Sequence, residues 1–244
     1  MARVLITGSA GGLGRLAAES VLEGDHDVIV HARNDDRLDT LRDLVARGAA
    51  TVVGDLADLE QTRDIAEQVN ELGPVDAVIH NAGVLSGPSV LPVNVVAPYL
   101  LTALIRRPKR LVYISSSMHR GGRARLTGMD WTGRHETGSY SDSKLFVTAL
   151  AFAVARRWPD VLSHAVDPGW VPTPMGGPGA PDDLELSHRT QEWLAVSDDP
   201  DALTTGGYWH HRQQQRAAAA ALNETFQEAL LGELAQHTQV QLAR

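Results

Sequence analysis

Tyr140 and Lys144, in the segment Tyr140-Ser141-Asp142-Ser143-Lys144, have residue types and a spacing that suggest chemistry. If the segment opens a helix, residues i and i+4 share a face, and phenol and ammonium project into one site. A free tyrosine titrates near pKa ~10, and a neighbouring cation favours its phenolate. Bringing the phenol toward neutrality corresponds to roughly 4 kcal/mol between its protonation states and would suit Tyr140 to proton transfer. Only two lysines, Lys109 and Lys144, stand among the 22 basic residues, and a lysine kept where arginine is the default cation can do what arginine cannot. The alternative for both residues is an ordinary surface pair.

Five further segments line up with this one. Ser115-Ser116-Ser117 ends an apolar run, where one hydroxyl can hold a substrate oxygen while the others cap the following turn. Thr7-Gly8-Ser9-Ala10-Gly11-Gly12-Leu13-Gly14 follows a strand pattern and opens a helix pattern. In that context glycines let the backbone approach a pyrophosphate, and the helix N-terminus supplies N–H groups and positive dipole. His31-Ala32-Arg33-Asn34 lacks the acidic residue that would hold a ribose diol. Arg33 sits where a guanidinium can grip a 2′-phosphate, which favours NADP (NADPH) over NAD. Asp55-Leu56 offers a carboxylate to an adenine amino group, and His80-Asn81-Ala82-Gly83 makes a turn that passes close to a cofactor. Each signal is weak alone; their order at successive strand ends carries the reading.

The elements that must position these residues follow from periodicity. Strands are expected at Arg3 to Thr7, Asp27 to Ala32, Thr51 to Val53, Val75 to His80, Arg110 to Ser115 and Val161 to Val166, with a short one near Tyr208-Trp209. Helices are expected from Gly12 to Glu23, through the charged stretch to Arg47, from an Asp58 cap to Leu72, and from Pro92 to Ile105. Two more are expected, from Ser139 to Trp158 and from Gln214 to Gln236, the last containing the Ala217 to Ala221 run. Strands alternating with helices define an α/β fold with a doubly wound parallel sheet, and 244 residues without repeat or linker suit a single domain.

In this order the motifs resemble the short-chain dehydrogenase/reductase superfamily, a Rossmann fold, over Arg3 to about Thr173. The resemblance implies that Thr7, Gly8, Gly12, Leu13 and Gly14 form the cofactor loop, joined by Asp55, Leu56, Asn81, Ala82 and Gly83. It implies a catalytic set of Ser116, Tyr140 and Lys144, with Asn94 relaying protons. Lys144 would also bind the cofactor ribose, and Pro168, Gly169, Val171 and Thr173 would close over the nicotinamide. Ser115-Ser116-Ser117-Met118-His119 resembles the retinol-dehydrogenase-like, NADP-preferring branch, which selects Ser116. The implied activity is NAD(P)-dependent hydride transfer to or from a carbonyl or alcohol carbon. The same glycine loop also satisfies the pattern of nucleotide-sugar epimerases, and a catalytically silent NADP sensor is the other alternative.

Composition narrows the field. There are no cysteines, hence no disulfide, thiol nucleophile or cysteine zinc site, and the ten histidines show no ligand spacing, so no metal is expected. A net charge of −8 without basic runs argues against nucleic-acid binding. No apolar run is long enough for a membrane span, and a cytoplasmic protein acting on a small molecule is expected. A homo-oligomer is compatible with all of this. Met118, Trp170, Met175 and Trp193 are expected to wall an apolar pocket, and residues 172–198, opening with a Pro/Gly-rich stretch, to form a substrate lid.

Overall fold

Runs such as Asp27 to Ala32 and Arg110 to Ile114 are apolar on both sides of the strand, and only a sheet covered on both faces satisfies them. The computed structural model, which describes residues 1–243, builds such a sheet. In chain order the elements are β1 (Arg3–Ile6), α1 (Gly12–Glu23), β2 (Asp27–Ala32), α2 (Asp35–Leu38), α3 (Arg42–Ala46), β3 (Ala50–Val53), α4 (Leu59–Leu72), β4 (Ala77–His80), α5 (Ala97–Leu104), β5 (Arg110–Ile114), α6 (Tyr140–Arg157), β6 (Leu162–Asp167), α7 (Leu184–Ser187), α8 (Arg189–Val196), β7 (Gly207–His210), β8 (Gln213–Gln215) and α9 (Glu224–Thr238).

The strands lie in the order β3-β2-β1-β4-β5-β6-β7-β8, all parallel except the β7–β8 hairpin. Side chains alternate between two cores, as the two-residue repeat of a strand requires. Leu5, Val78, Leu111 and Ala165 join the layer containing Ile65 of α4, Tyr99 of α5, Phe146 of α6 and Leu230 of α9. Val4, Ile79, Val112 and Val166 join the opposite layer, with Val21 of α1, Leu44 of α3 and Leu194 of α8. Winding reverses between β1 and β4, and the crevice beyond their carboxyl ends is where ligands bind in such sheets.

Side-chain caps fix the key helices. Asp58 accepts from the Gln61 N–H at 3.0 Å and starts α4 where expected. Ser139 and Asp142 form a reciprocal capping box, which makes Tyr140 the first residue of α6.

Two expectations need correction. The charged stretch to Arg47 is not one helix but α2, a 3-10 turn at Asp39–Leu41 and α3. The Pro92 to Ile105 helix is met, with a π turn over Pro92–Val96, where Pro98 has no N–H for the Asn94 carbonyl in α-helical register. The C-terminal helix begins at Glu224, not Gln214. Gln213 to Gln215 pair with β7 across a tight turn in which His211 and Arg212 both have positive φ (49° and 59°). The Ala217 to Ala221 run stays in turns because the Ala218 N–H is held by His119 Nε2 at 3.0 Å, and Asn223 supplies the cap for α9.

Candidate functional site

The crevice floor is shaped by glycines. Gly8 (φ +69°) and Gly12 (φ +56°) are left-handed. A Cβ on Gly14 would lie 2.3 Å from Asn81 Nδ2 and 2.7 Å from the Gly8 carbonyl oxygen, so only glycine lets the loop, the start of α1 and the turn after β4 meet. Gly11 precedes α1 without a side-chain cap, and the first turn holds no acidic residue. The helix therefore presents unpaired N–H groups and its positive end to the crevice, a cradle that fits a pyrophosphate.

Several expected cofactor residues turn inward instead. The Thr7 hydroxyl accepts from the backbone N–H of Asn81 (3.0 Å) and Ala82 (3.1 Å). Asn81 Nδ2 donates back to the Thr7 carbonyl at 2.9 Å, so this pair locks β1 to the turn after β4. His31, at the end of β2, supports the loop from below: Nδ1 accepts from the Gly8 N–H (3.0 Å) and Nε2 donates to the Gly54 carbonyl (2.8 Å). Burial lowers the His31 pKa and keeps the ring neutral, as accepting that bond requires. Asp55 is half-buried and closes its own turn onto the Ala57 N–H at 2.9 Å, while Leu56 is buried. Arg33 is exposed, and none of the described hydrogen bonds or ion pairs involves it.

The catalytic candidates converge at the other side of the crevice. Lys144 Nζ lies 5.4 Å from the Tyr140 ring centroid and donates to the Ile114 carbonyl at 2.7 Å. The Ser116 hydroxyl faces the Tyr140 phenol and accepts from the Met118 N–H at 3.2 Å. Of the three serines it alone faces Tyr140: Ser115 is buried against the Thr148 hydroxyl at 2.6 Å, and Ser117 is exposed.

The expectation that Lys144 lowers the Tyr140 pKa is not met. Burial, reinforced by the Asp167 carboxylate and opposed by Ser116, pushes the phenol up to about 12. Burial also pulls Lys144 down to about 8, and its ammonium is committed to the Ile114 carbonyl. Tyr140 is thus protonated at neutral pH.

Asn94 lies in the π turn with its amide fully engaged. Oδ1 accepts from the Val84 N–H (2.8 Å), and Nδ2 donates to the Val84 carbonyl (3.0 Å) and to Ser143 Oγ (2.9 Å). The segment after β6 crosses the crevice. Thr173 lies 3.8 Å from where a Gly12 Cβ would stand. Met175 Cε comes within 3.9 Å of the equivalent point on Gly83, itself 3.6 Å from Lys144 Nζ. Asp182 Oδ2 accepts the Trp170 N–H at 2.6 Å and Asp182 N–H donates to the Trp170 carbonyl at 3.0 Å, pinning both ends of this loop together. Pro168 is buried, Gly169 half-buried with its N–H on Asp167 Oδ1 at 3.0 Å, and Val171 buried.

Two sequence expectations fail here. Trp193 does not wall the pocket: it is buried in the opposite core, edge-on to Trp209 at 5.2 Å. For the same reason a lid cannot extend over all of 172–198, since Trp193, Leu194 and Ala195 of α8 are packed in the core. Met118, Trp170 and Met175 are exposed near the mouth. Asp167 and Tyr208 are buried around the site without having been singled out, their signal being position in the neighbouring β6 and β7, and His119 of the Ser115–His119 motif is buried beside them.

Fold and site together define a doubly wound α/β protein whose glycine-built crevice opens beside a Ser–Tyr–Lys cluster. The short chain dehydrogenase family model matches residues 2–107. The short-chain dehydrogenase chyC of Penicillium rubens is 39% identical over 218 residues, covering 84% of each chain. Among solved structures, a protein of Mycobacterium paratuberculosis superposes with a TM-score of 0.81 at 23% identity, covering 100% of this chain and 96% of its own. The RhlG/NADP active-site complex of Pseudomonas aeruginosa superposes at 0.71 with 20% identity, covering 86% and 94%. The chain belongs to the short-chain dehydrogenase family and is an oxidoreductase of that family. No helix of the described residues is long and apolar enough to cross a membrane, and none of their His, Asp and Glu side chains cluster as a metal site would.

Proposed function

We propose that this oxidoreductase reduces the carbonyl of a small apolar substrate with NADPH, and runs the reverse oxidation of the alcohol. The observation that carries the reading is the convergence of Ser116, Tyr140 and Lys144 at the crevice mouth, with Lys144 buried beside the tyrosine ring. Ser116 orients the carbonyl oxygen and Tyr140 delivers its proton there. The nicotinamide, when bound, supplies the hydride. Gly8, Gly12, Leu13 and Gly14 would cradle the pyrophosphate, Asp55 and Leu56 the adenine, Ala82 and Gly83 the passage between, and Lys144 the ribose nearest the reacting carbon. Thr7 and Asn81 act by holding that turn in place. Asn94, whose amide is held by Val84 and Ser143, serves a proton relay.

NADPH preference rests on Arg33, exposed after β2 with no acidic residue at that strand end, and on the NADP held by RhlG. Apolar substrate preference rests on the exposed Met118, Trp170 and Met175. The loop 171–181 acts as the lid of a single domain, with Thr173 and Met175 reaching over the crevice. Purified protein is mixed with NADPH and a panel of apolar and aromatic ketones and aldehydes, following nicotinamide fluorescence. Turnover with at least one carbonyl class is expected; NADPH binding without consumption across the panel would contradict the reading.

A further inference from the structure

Lys144 poses an electrostatic problem. Its side chain is buried, with 3% of the residue exposed, and the acceptor it contacts is the neutral Ile114 carbonyl. A buried ammonium with only a neutral partner is costly and tends to lose its proton. The sheet places a carboxylate at this same end. Ile114 pairs with Val166, and the Ser115 N–H donates to the Val166 carbonyl at 2.7 Å, so Asp167 ends β6 beside the strand end that anchors Lys144.

Asp167 is itself 6% exposed and held at both oxygens: Oδ1 accepts from the Gly169 N–H (3.0 Å) and Oδ2 from the Tyr208 hydroxyl (3.1 Å). Tyr208 is fixed in turn by the His119 ring, 4.6 Å away between centroids. His119 Nδ1 donates to the Ser116 carbonyl at 2.7 Å, and its Nε2 accepts from the Ala218 N–H at 3.0 Å. The scaffold that fixes the carboxylate also fixes Ser116.

We propose that Asp167, locked by Tyr208 and Gly169, is a positioning residue of the reaction: the buried counter-charge that keeps Lys144 cationic beside Tyr140. The assignment rests on reading Tyr140 and Lys144 as the reacting pair. The other groups around Asp167 are accounted for. His119 is held toward its neutral form by burial. The Arg120 guanidinium is exposed, 5.6 Å over the Tyr208 ring, and His210 bonds only the Asp167 backbone carbonyl. Asp167 favours the protonated forms of both Lys144 and Tyr140, opposing burial at the lysine and reinforcing it at the tyrosine. The site is therefore loaded as an acid, the form that carbonyl reduction uses.

The chain's two lysines make the test direct. In protein labelled with isotopic lysine, two side-chain resonances titrate; Lys109→Arg assigns them, and exposed Lys109 serves as an internal reference. In Asp167→Asn the Lys144 midpoint should fall by about one pH unit, Lys109 should not move, and Asp167→Glu should restore most of the shift. An unmoved Lys144 midpoint in folded Asp167→Asn overturns the proposal. If that variant does not fold, the coupling is read from the other end. In Lys144→Met the Asp167 carboxyl resonance should titrate at higher pH than in wild type, and equal midpoints overturn the proposal. None of these readouts needs a substrate, so a failure of the activity reading and a failure of this inference are separable.

Discussion

The two sides of the crevice are built by different physics. On the side formed by β1, β2 and β4, recognition rests on backbone: glycines without Cβ atoms, open helix N–H groups and a neutral histidine under the loop. On the side formed by β5, β6, β7 and α6, it rests on buried side chains: burial acts most strongly on Lys144 and Tyr140, and the Asp167 carboxylate, bonded to Tyr208, acts on both. The first side should be sensitive to added volume and indifferent to pH near neutrality. The second should tolerate small changes of volume and respond sharply to changes of charge.

Gly14→Ala should break the first side outright. Its Cβ would stand 2.3 Å from Asn81 Nδ2, a clash against the locked Thr7–Asn81 pair. The expected loss is about 1–3 kcal/mol of stability, read by urea unfolding, with NADPH affinity lost in the same protein. Wild-type stability and affinity would show that the loop is not as tightly fitted as described.

Arg33→Ala should be milder and confined to the cofactor. A charge-assisted contact to a 2′-phosphate contributes about 1.5–3 kcal/mol, so NADPH should bind roughly tenfold or more tighter than NADH in wild type and nearly equally in the variant. Equal affinities in wild type, by fluorescence titration, would remove Arg33 from the site.

Asp142 gives the smallest expected effect and a pH signature. Burial works to raise its pKa, but hydrogen bonds from the Arg123 guanidinium and backbone N–H, and from Ser139, override it and hold it down to about 2, from an ordinary 3.8. A depressed carboxylate contributes stability that is complete above the unfolded value and is lost as pH falls through the folded one. The stability difference between wild type and Asp142→Asn should be about 1–2 kcal/mol near neutrality and shrink as pH drops from about 4 toward 2. A constant difference over that range would mean that the capping box does not depend on the charge.

What could be read from the sequence follows the same division. The glycine loop, the Asp58 cap and the Tyr140–Lys144 spacing are local, carried by contiguous residues, and their elements were legible to within a residue or two. The layer behind Tyr140 is not local: Asp167, Tyr208 and His119 meet because β5, β6 and β7 are neighbours, a fact no short segment encodes. The lysine's effect on the tyrosine was misjudged for the same reason, since spacing reveals the cation but not the burial or the carboxylate beside it. The alanine run misled because helix propensity is weak against a bond from a distant histidine and a cap at Asn223. Trp193 looked like a pocket wall until α8 turned it into the opposite core.

The central claim is that Tyr140, paired with Ser116, donates the proton in NADPH-dependent carbonyl reduction. The most direct measurement takes Tyr140→Phe and records NADPH affinity and NADPH consumption on one preparation. The account predicts wild-type binding with turnover reduced by about a hundredfold or more; a variant that keeps most of its turnover would contradict it.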